Sequence, residues 1–139
     1  MTVLITINDL TFNEDARDAQ GIEWSLGFPS GWFSPEVDQS TLPRLSPGSS
    51  VVTRVRHRTL VMFGAAHALT DEGHWAACHR LETLVPVDSL VDFIVHEQSG
   101  AMRLSVQAGP GNPRIDPLDG RLIEFQLTLI APDPVKQLV

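Results

Sequence analysis

Apolar and polar residues alternate with a period of two over much of the chain. Val3, Ile5 and Ile7 alternate with Thr2, Thr6 and Asn8, and Leu10-Thr11-Phe12 follows directly. Ile22, Trp24 and Leu26 alternate with Glu23 and Ser25. Val91, Phe93 and Val95 alternate with Asp92 and His96, with Ile94 interrupting the polar face. Met102, Leu104 and Val106 alternate with Arg103, Ser105 and Gln107, and Ile123, Phe125, Leu127 and Leu129 with Glu124, Gln126 and Thr128. Each run predicts a half-buried strand of an antiparallel sheet. Between the Val91 and Met102 runs, Glu97-Gln98-Ser99-Gly100 supplies a hairpin turn, with Gly100 free to take positive φ.

The longest strand predicted is Val51–Ala66. Its first half sets Val55, His57 and Thr59 on one face and Arg54, Arg56 and Arg58 on the other; from Leu60 onward both faces are apolar. One segment, about residues 71–84, has helical spacing. Thr70 is its cap, Asp71 and Glu72 suit its N-terminus, and Trp75, Cys78, Leu81 and Leu84 or Val85 form the expected buried stripe. Pro86 ends it.

Two stretches read as irregular. Gly27–Ser50 holds Pro29, Pro35, Pro43 and Pro47 with Gly27, Gly31 and Gly48, yet keeps Phe28, Trp32, Phe33 and Val37 as apolar anchors. It is expected to be a long loop at 27–50, of the kind that is functional or disordered. Ala108–Gly120, with Pro110, Pro113 and Pro117, joins the last two strands. The expected class is mainly β: a β-sandwich of antiparallel sheets with one flanking α-helix.

Composition narrows the function classes. At 139 residues and 15.3 kDa the chain makes a single domain, 1–139. Its one cysteine, Cys78, excludes an intrachain disulfide framework and four-cysteine zinc modules. The longest apolar stretch, Leu60–Ala66, falls far short of the roughly 20 residues that span a bilayer. The N-terminus lacks the basic region of a cleaved signal. A soluble protein made in a reducing compartment is expected, with no membrane partner.

The net charge of −7 argues against a binder that neutralises nucleic-acid phosphates. The charge is also segregated. Residues 1–38 carry seven acids and one Arg, 39–67 four Arg and no acid, and 68–99 six acids and one Arg. Solvated faces account for such alternation, and so does a subunit that meets its own copies head to tail.

No constellation points to catalysis. Cys78 and His79 are adjacent, but helix neighbours point about 100° apart, so they do not face each other. His67, His74 and His79 with Cys78 match no compact zinc spacing. Arg54-Val55-Arg56-His57-Arg58 has no interleaved stacking aromatic, so subunit salt bridges suit it better than nucleic acid. Ala108–Pro113 is glycine-rich but opens no helix and has no Lys-Ser/Thr, which makes it a turn and not a phosphate cradle. The expectation is no enzyme, no metal and no cofactor.

Three segments together resemble the N-terminal domain of the distal tail protein family of long-tailed, non-contractile bacteriophages (siphophages), especially those of actinobacterial hosts. They are Ile5–Asn13 (ITINDLTFN), Gly31–Val37 (GWFSPEV) and Leu122–Pro134 (LIEFQLTLIAPDP); Arg58–Ala68 followed by a short helix also resembles the family's central strand and helix. The resemblance implies a tail-tube-like fold and a structural role in the virion tail. It further implies a homo-hexameric ring between the tail-tube protein above and the tail-tip or baseplate proteins below. DNA would pass through the lumen without specific binding, and the chain would be made in the host cytoplasm.

Many members add a C-terminal carbohydrate-binding-like domain after the APDP segment. This chain stops at Val139, so none is expected in it. Subunit-interface residues expected from loop and charge are Trp32, Phe33, Glu36, Val37, Arg54, Arg56 and Arg58. The alternatives are a tail-tube or tube-terminator subunit of the same fold, or a small carbohydrate-binding β-sandwich.

Overall fold

The alternating runs become strands because each has one face to bury and none is long enough to bury it alone. The computed structural model describes residues 3–33, 36–42 and 50–139, with only the strand pairing for 36–42 and 50–56. In chain order the elements are β1 (Ile5–Ile7), β2 (Leu10–Phe12), β3 (Glu23–Leu26), β4 (Glu36–Leu42), β5 (Ser50–His67) and α1 (Asp71–Thr83). β6 (Val91–Glu97), β7 (Gly100–Ala108), β8 (Arg114–Pro117), β9 (Leu122–Ala131) and β10 (Gln137–Leu138) follow.

All the strand pairs are antiparallel, in the order β2-β1-β6-β7-β9-β5-β3, with β10 on β7, β4 on β5 and β8 on β9. The sheet folds back on itself until its ends nearly meet. Phe12 of β2 packs edge-on against Trp24 of β3, with ring centroids 5.9 Å apart, and 6.0 Å from Phe125 of β9. Asn13 closes the remaining gap. Its backbone N–H donates to the Trp24 carbonyl at 2.9 Å, its Nδ2 donates to the Val3 and Leu26 carbonyls, and its Oδ1 accepts from Leu26 N–H, each at 2.8 Å. Asn13 has φ 70°, a left-handed conformation that asparagine tolerates better than most residues.

The apolar phase of each run lies inside. Ile5, Ile7, Phe12, Leu60, Met62, Phe93, Val95, Val106, Ile123, Leu127 and Leu129 are almost wholly buried in one cluster. The hairpin at Gln98-Ser99 forms as its residues predict, Glu97 pairing Gly100 at φ 141°.

Three expectations change. The first is that the stretch 27–50 is not wholly irregular: β4 pairs residue by residue with β5, from Val37↔Val55 to Leu42↔Ser50. Pro35 and Pro43 bracket Glu36–Leu42, which itself contains neither proline nor glycine. A ladder needs only that free heptapeptide. The rest of the expected loop at 34–35 and 43–49 lies outside the described residues.

The second change concerns the helix face. Its buried residues are Gly73, His74, Ala77 and Leu81, continuing to Leu84 and Val85, whereas Trp75 is 55% exposed and Cys78 half-buried. Small Gly73 and Ala77 let the helix lie close to the sheet, and His74 Nε2 donates to the Leu122 carbonyl at 3.2 Å. Trp75 stays outside, edge-on to His74. The cap is as expected, Thr70 Oγ1 accepting from Gly73 N–H at 3.0 Å. The third change is β8, a strand within the stretch expected to be irregular between β7 and β9.

Candidate assembly surface

β5 organises the surface on which the expected interface residues fall. One of its edges is followed in turn by three stretches: β3 pairs 64–67, Gly27 N–H donates to the Phe63 carbonyl at 2.8 Å with Ser30 bridging Val61, and β4 pairs 50–57. The other edge is paired by β9 from His67↔Leu122 only as far as Arg58↔Ala131. Residues 50–56 therefore have β4 as their sole strand partner among the described residues. At about 3.3 Å per residue they make, with β4, a two-stranded arm roughly 23 Å long.

Glu36, Val37, Arg54 and Arg56 all lie on this arm, with Val37 opposite Val55 and Asp38 opposite Arg54. Their side chains are outside the described residues. The fold thus gathers four of the seven expected residues on one hairpin.

Arg58 and Trp32 behave differently from expectation. Arg58, expected between subunits, binds within its own chain. Its Nε donates to the Pro134 carbonyl at 2.7 Å, and its Nη1 to the carbonyls of Trp32 at 2.9 Å and Gly31 at 3.4 Å. Burial lowers the guanidinium pKa from its ordinary value. Trp32, expected to dock on a neighbour, is fully buried and lies 5.8 Å from the ring of Phe93 on β6. An indole with no exposed surface has none to give a neighbour. Gly31 makes its position possible: at φ 96° the backbone passes so close to the Thr59 carbonyl that a Cβ would overlap it.

Phe33 does remain outside, 70% exposed, and stacks on half-exposed Phe28 with centroids 5.9 Å apart and planes 9° from parallel. Lys136 Nζ sits 4.2 Å from the ring centroids of both Trp32 and Phe33. Burial and the Arg58 charge lower the Lys136 pKa, while Glu97 opposes them. The aromatic faces favour the ammonium form as well. The result is an aromatic shelf at the base of the arm, backed by two cations and the last segment of the chain.

The sequence offered no sign of this link between Arg58, Lys136 and the loop. Elsewhere, the candidate metal residues do not converge. Arg17 Nη2 donates to His67 Nδ1 at 3.0 Å, His74 serves Leu122, and exposed His79 lies 4.0 Å from Glu82. Among the described residues no group of three or more His, Cys, Asp or Glu is placed to hold a metal ion. Burial raises the Cys78 thiol pKa, away from the reactive thiolate. No described helix is long and apolar enough to cross a membrane.

No family model matches the chain, and no curated protein matches it. Among solved structures it is similar to the Dit protein of SPP1, described as a paradigm of the hub adsorption apparatus in phages that infect Gram-positive hosts. The TM-score is 0.68 at 12% sequence identity, over 100% of this chain and 53% of that one. The chain spans about half the length of that structure, and across its own whole length it has the same β fold as this phage protein.

Proposed function

We propose that the chain is a structural subunit of a long, non-contractile phage tail. In this reading it forms a closed ring, a hexamer, at the distal end of the tube. The tail-tube protein lies above the ring and the tip or baseplate proteins below, and DNA crosses the lumen without specific binding. The subunit is made in the host cytoplasm and resides in the virion tail. The observation that carries the reading is the fold match to a hub protein over the entire chain.

The physics of the subunit supports it. A closed ring of identical chains uses two different surfaces on each subunit. A two-stranded arm and a strongly segregated charge supply such asymmetry. The site chemistry is that of contact, with no proposed catalytic residue.

Electron microscopy of tails carrying this chain tests the reading. The expected result is one or two sixfold rings at the tube's end containing it. Its presence along the full tube would make it a tube subunit instead, and its occurrence as a single copy would overturn the ring.

A further inference from the structure

β7 has β6 along one edge and two partners in succession on the other. β9 pairs it at Gln107↔Ile130 and Ala108↔Leu129, and β10 at Arg103↔Gln137 and Met102↔Leu138. Continued in the β9 register, residue 134 would stand opposite Arg103. Gln137 stands there instead, so three extra residues are looped out between the two strands. Pro132 and Pro134 account for the excursion, since neither has an N–H to give the ladder. Asp133 turns it, its carboxylate accepting from the Val135 N–H at 3.0 Å.

The excursion is held from the side. Arg58 Nε donates to the Pro134 carbonyl while its Nη1 donates to the Trp32 carbonyl, and Lys136 Nζ lies over the rings of Trp32 and Phe33. Trp32 is itself fully buried against Phe93, and its indole N–H has no hydrogen-bond partner among the described residues. Beyond Lys136 the segment is fastened by β10, by Arg103 Nη2 donating to Gln137 Oε1 at 2.9 Å, and by Val139 N–H donating to the Ala101 carbonyl at 3.0 Å. Val135, Leu138 and Val139 are exposed. A strap with so short a ladder and so little buried apolar surface belongs to the low-stability end of a fold.

We propose that residues 132–139 and the Trp32–Phe33 loop form a latch, strap and loop opening and closing together, so that what loosens the strap also loosens the aromatic loop at the base of the arm. The inference does not depend on the ring reading. Arg58 and Lys136 are its two links, one through main-chain carbonyls on both sides and the other through ring faces. Lifting the strap takes the Lys136 cover from Trp32 and one acceptor from Arg58. The loop is then left with fewer bonds, among them those of Ser30 with Val61.

Hydrogen exchange of the full chain, read by NMR, tests the latch after the strap is loosened at its far end by Arg103→Ala with Val139→Pro. Both substitutions remove bonds of the strap and none of the loop. The Trp32 indole proton is one reporter, because burial alone protects it, and the Ser30 amide, which donates to the Val61 carbonyl, is the other. Both are expected to exchange about tenfold faster, in step with the Gln137 amide, while buried Leu127 of β9 keeps its rate. The reverse effect is expected from Phe33→Ala, which removes a ring under Lys136 and should quicken the Gln137 and Val139 amides. Faster exchange at Gln137 with Trp32 and Ser30 unchanged would overturn the latch, because the strap would be fraying alone. An unchanged Gln137 would overturn it as well, since the far-end bonds would hold nothing. So would equal acceleration of Leu127, which would show that the strap opens only with the whole fold.

Discussion

Arg58 donates through Nε to the carbonyl of Pro134, joining the middle of β5 to the final segment of the chain across 76 residues at 2.7 Å. The same guanidinium binds the Trp32 carbonyl, so one side chain fixes the base of the arm, the aromatic loop and the tail together. Arg58 also marks the last pairing of β5 with β9, opposite Ala131. The arm begins where this cross-link sits.

Replacing Arg58 by alanine is therefore expected to weaken the isolated subunit. Hydrogen bonds from a charged donor contribute about 1.5–3 kcal/mol, and the three acceptors are partly replaced by water at this half-buried position. A net loss of about 1–3 kcal/mol in denaturant unfolding is expected. Exchange of the Gln137 and Val139 amides, which follow Pro134, should quicken. An unchanged midpoint would show that the cross-link contributes nothing to the monomer.

Trp32 and Phe33 are neighbours with opposite surroundings, and their truncations should separate accordingly. Trp32→Ala empties a fully buried site beside Phe93 and should cost about 3–5 kcal/mol. Phe33→Ala removes a largely exposed ring and should stay within about 1 kcal/mol. Equilibrium unfolding of the two purified variants decides the matter. Similar losses in both would contradict the burial of Trp32.

What the sequence carried and what it hid follow from the range of each interaction. The alternation at Ile123–Leu129 and the turn at Gln98-Ser99 are local, and both appear as expected. β4 was hidden because the prolines around it dominate the window, although Glu36–Leu42 is free of them. Trp75 drew the helix stripe one position out of phase, since its hydrophobicity says nothing of the space available beneath it. The three arginines of β5 looked alike, but the point where β9 stops separates Arg58 from Arg54 and Arg56. Trp32 finds Phe93 only in the folded chain. Of the seven residues expected at an interface, four share one hairpin, a grouping that only the β4–β5 pairing brings out.

Asn13 offers a test of how the sheet's two ends are held. Its side chain makes three hydrogen bonds, and its φ of 70° suits asparagine or glycine. Asn13→Gly keeps the conformation and loses the bonds, with an expected loss of about 1–3 kcal/mol. Asn13→Ala adds backbone strain of roughly 1 kcal/mol or more. Unfolding measurements should therefore rank the wild type above the glycine variant and the glycine variant above the alanine one. Equal stability of wild type and Asn13→Gly would show that the side chain does not close the sheet.

The last prediction concerns the arm. A two-stranded ribbon is marginal in water, and among the described residues neither β4 nor residues 50–56 have a third strand to add hydrogen bonds. Alternate amides of residues 50–56 bond to β4, and the others point toward the edge that β9 leaves open. Residues 58–67, by contrast, are flanked by β9 over their whole length. In the free subunit, amides of 36–42 and 50–56 should exchange with solvent far faster than those of 60–66. Assembly should slow the arm selectively, since a neighbour that covers it supplies the missing partner and the ordering entropy is then met by new contacts. Hydrogen exchange on the free chain and on assembled tails measures both states. Equal protection of the arm before and after assembly would show that the subunit holds it unaided and that the ring closes through other surfaces.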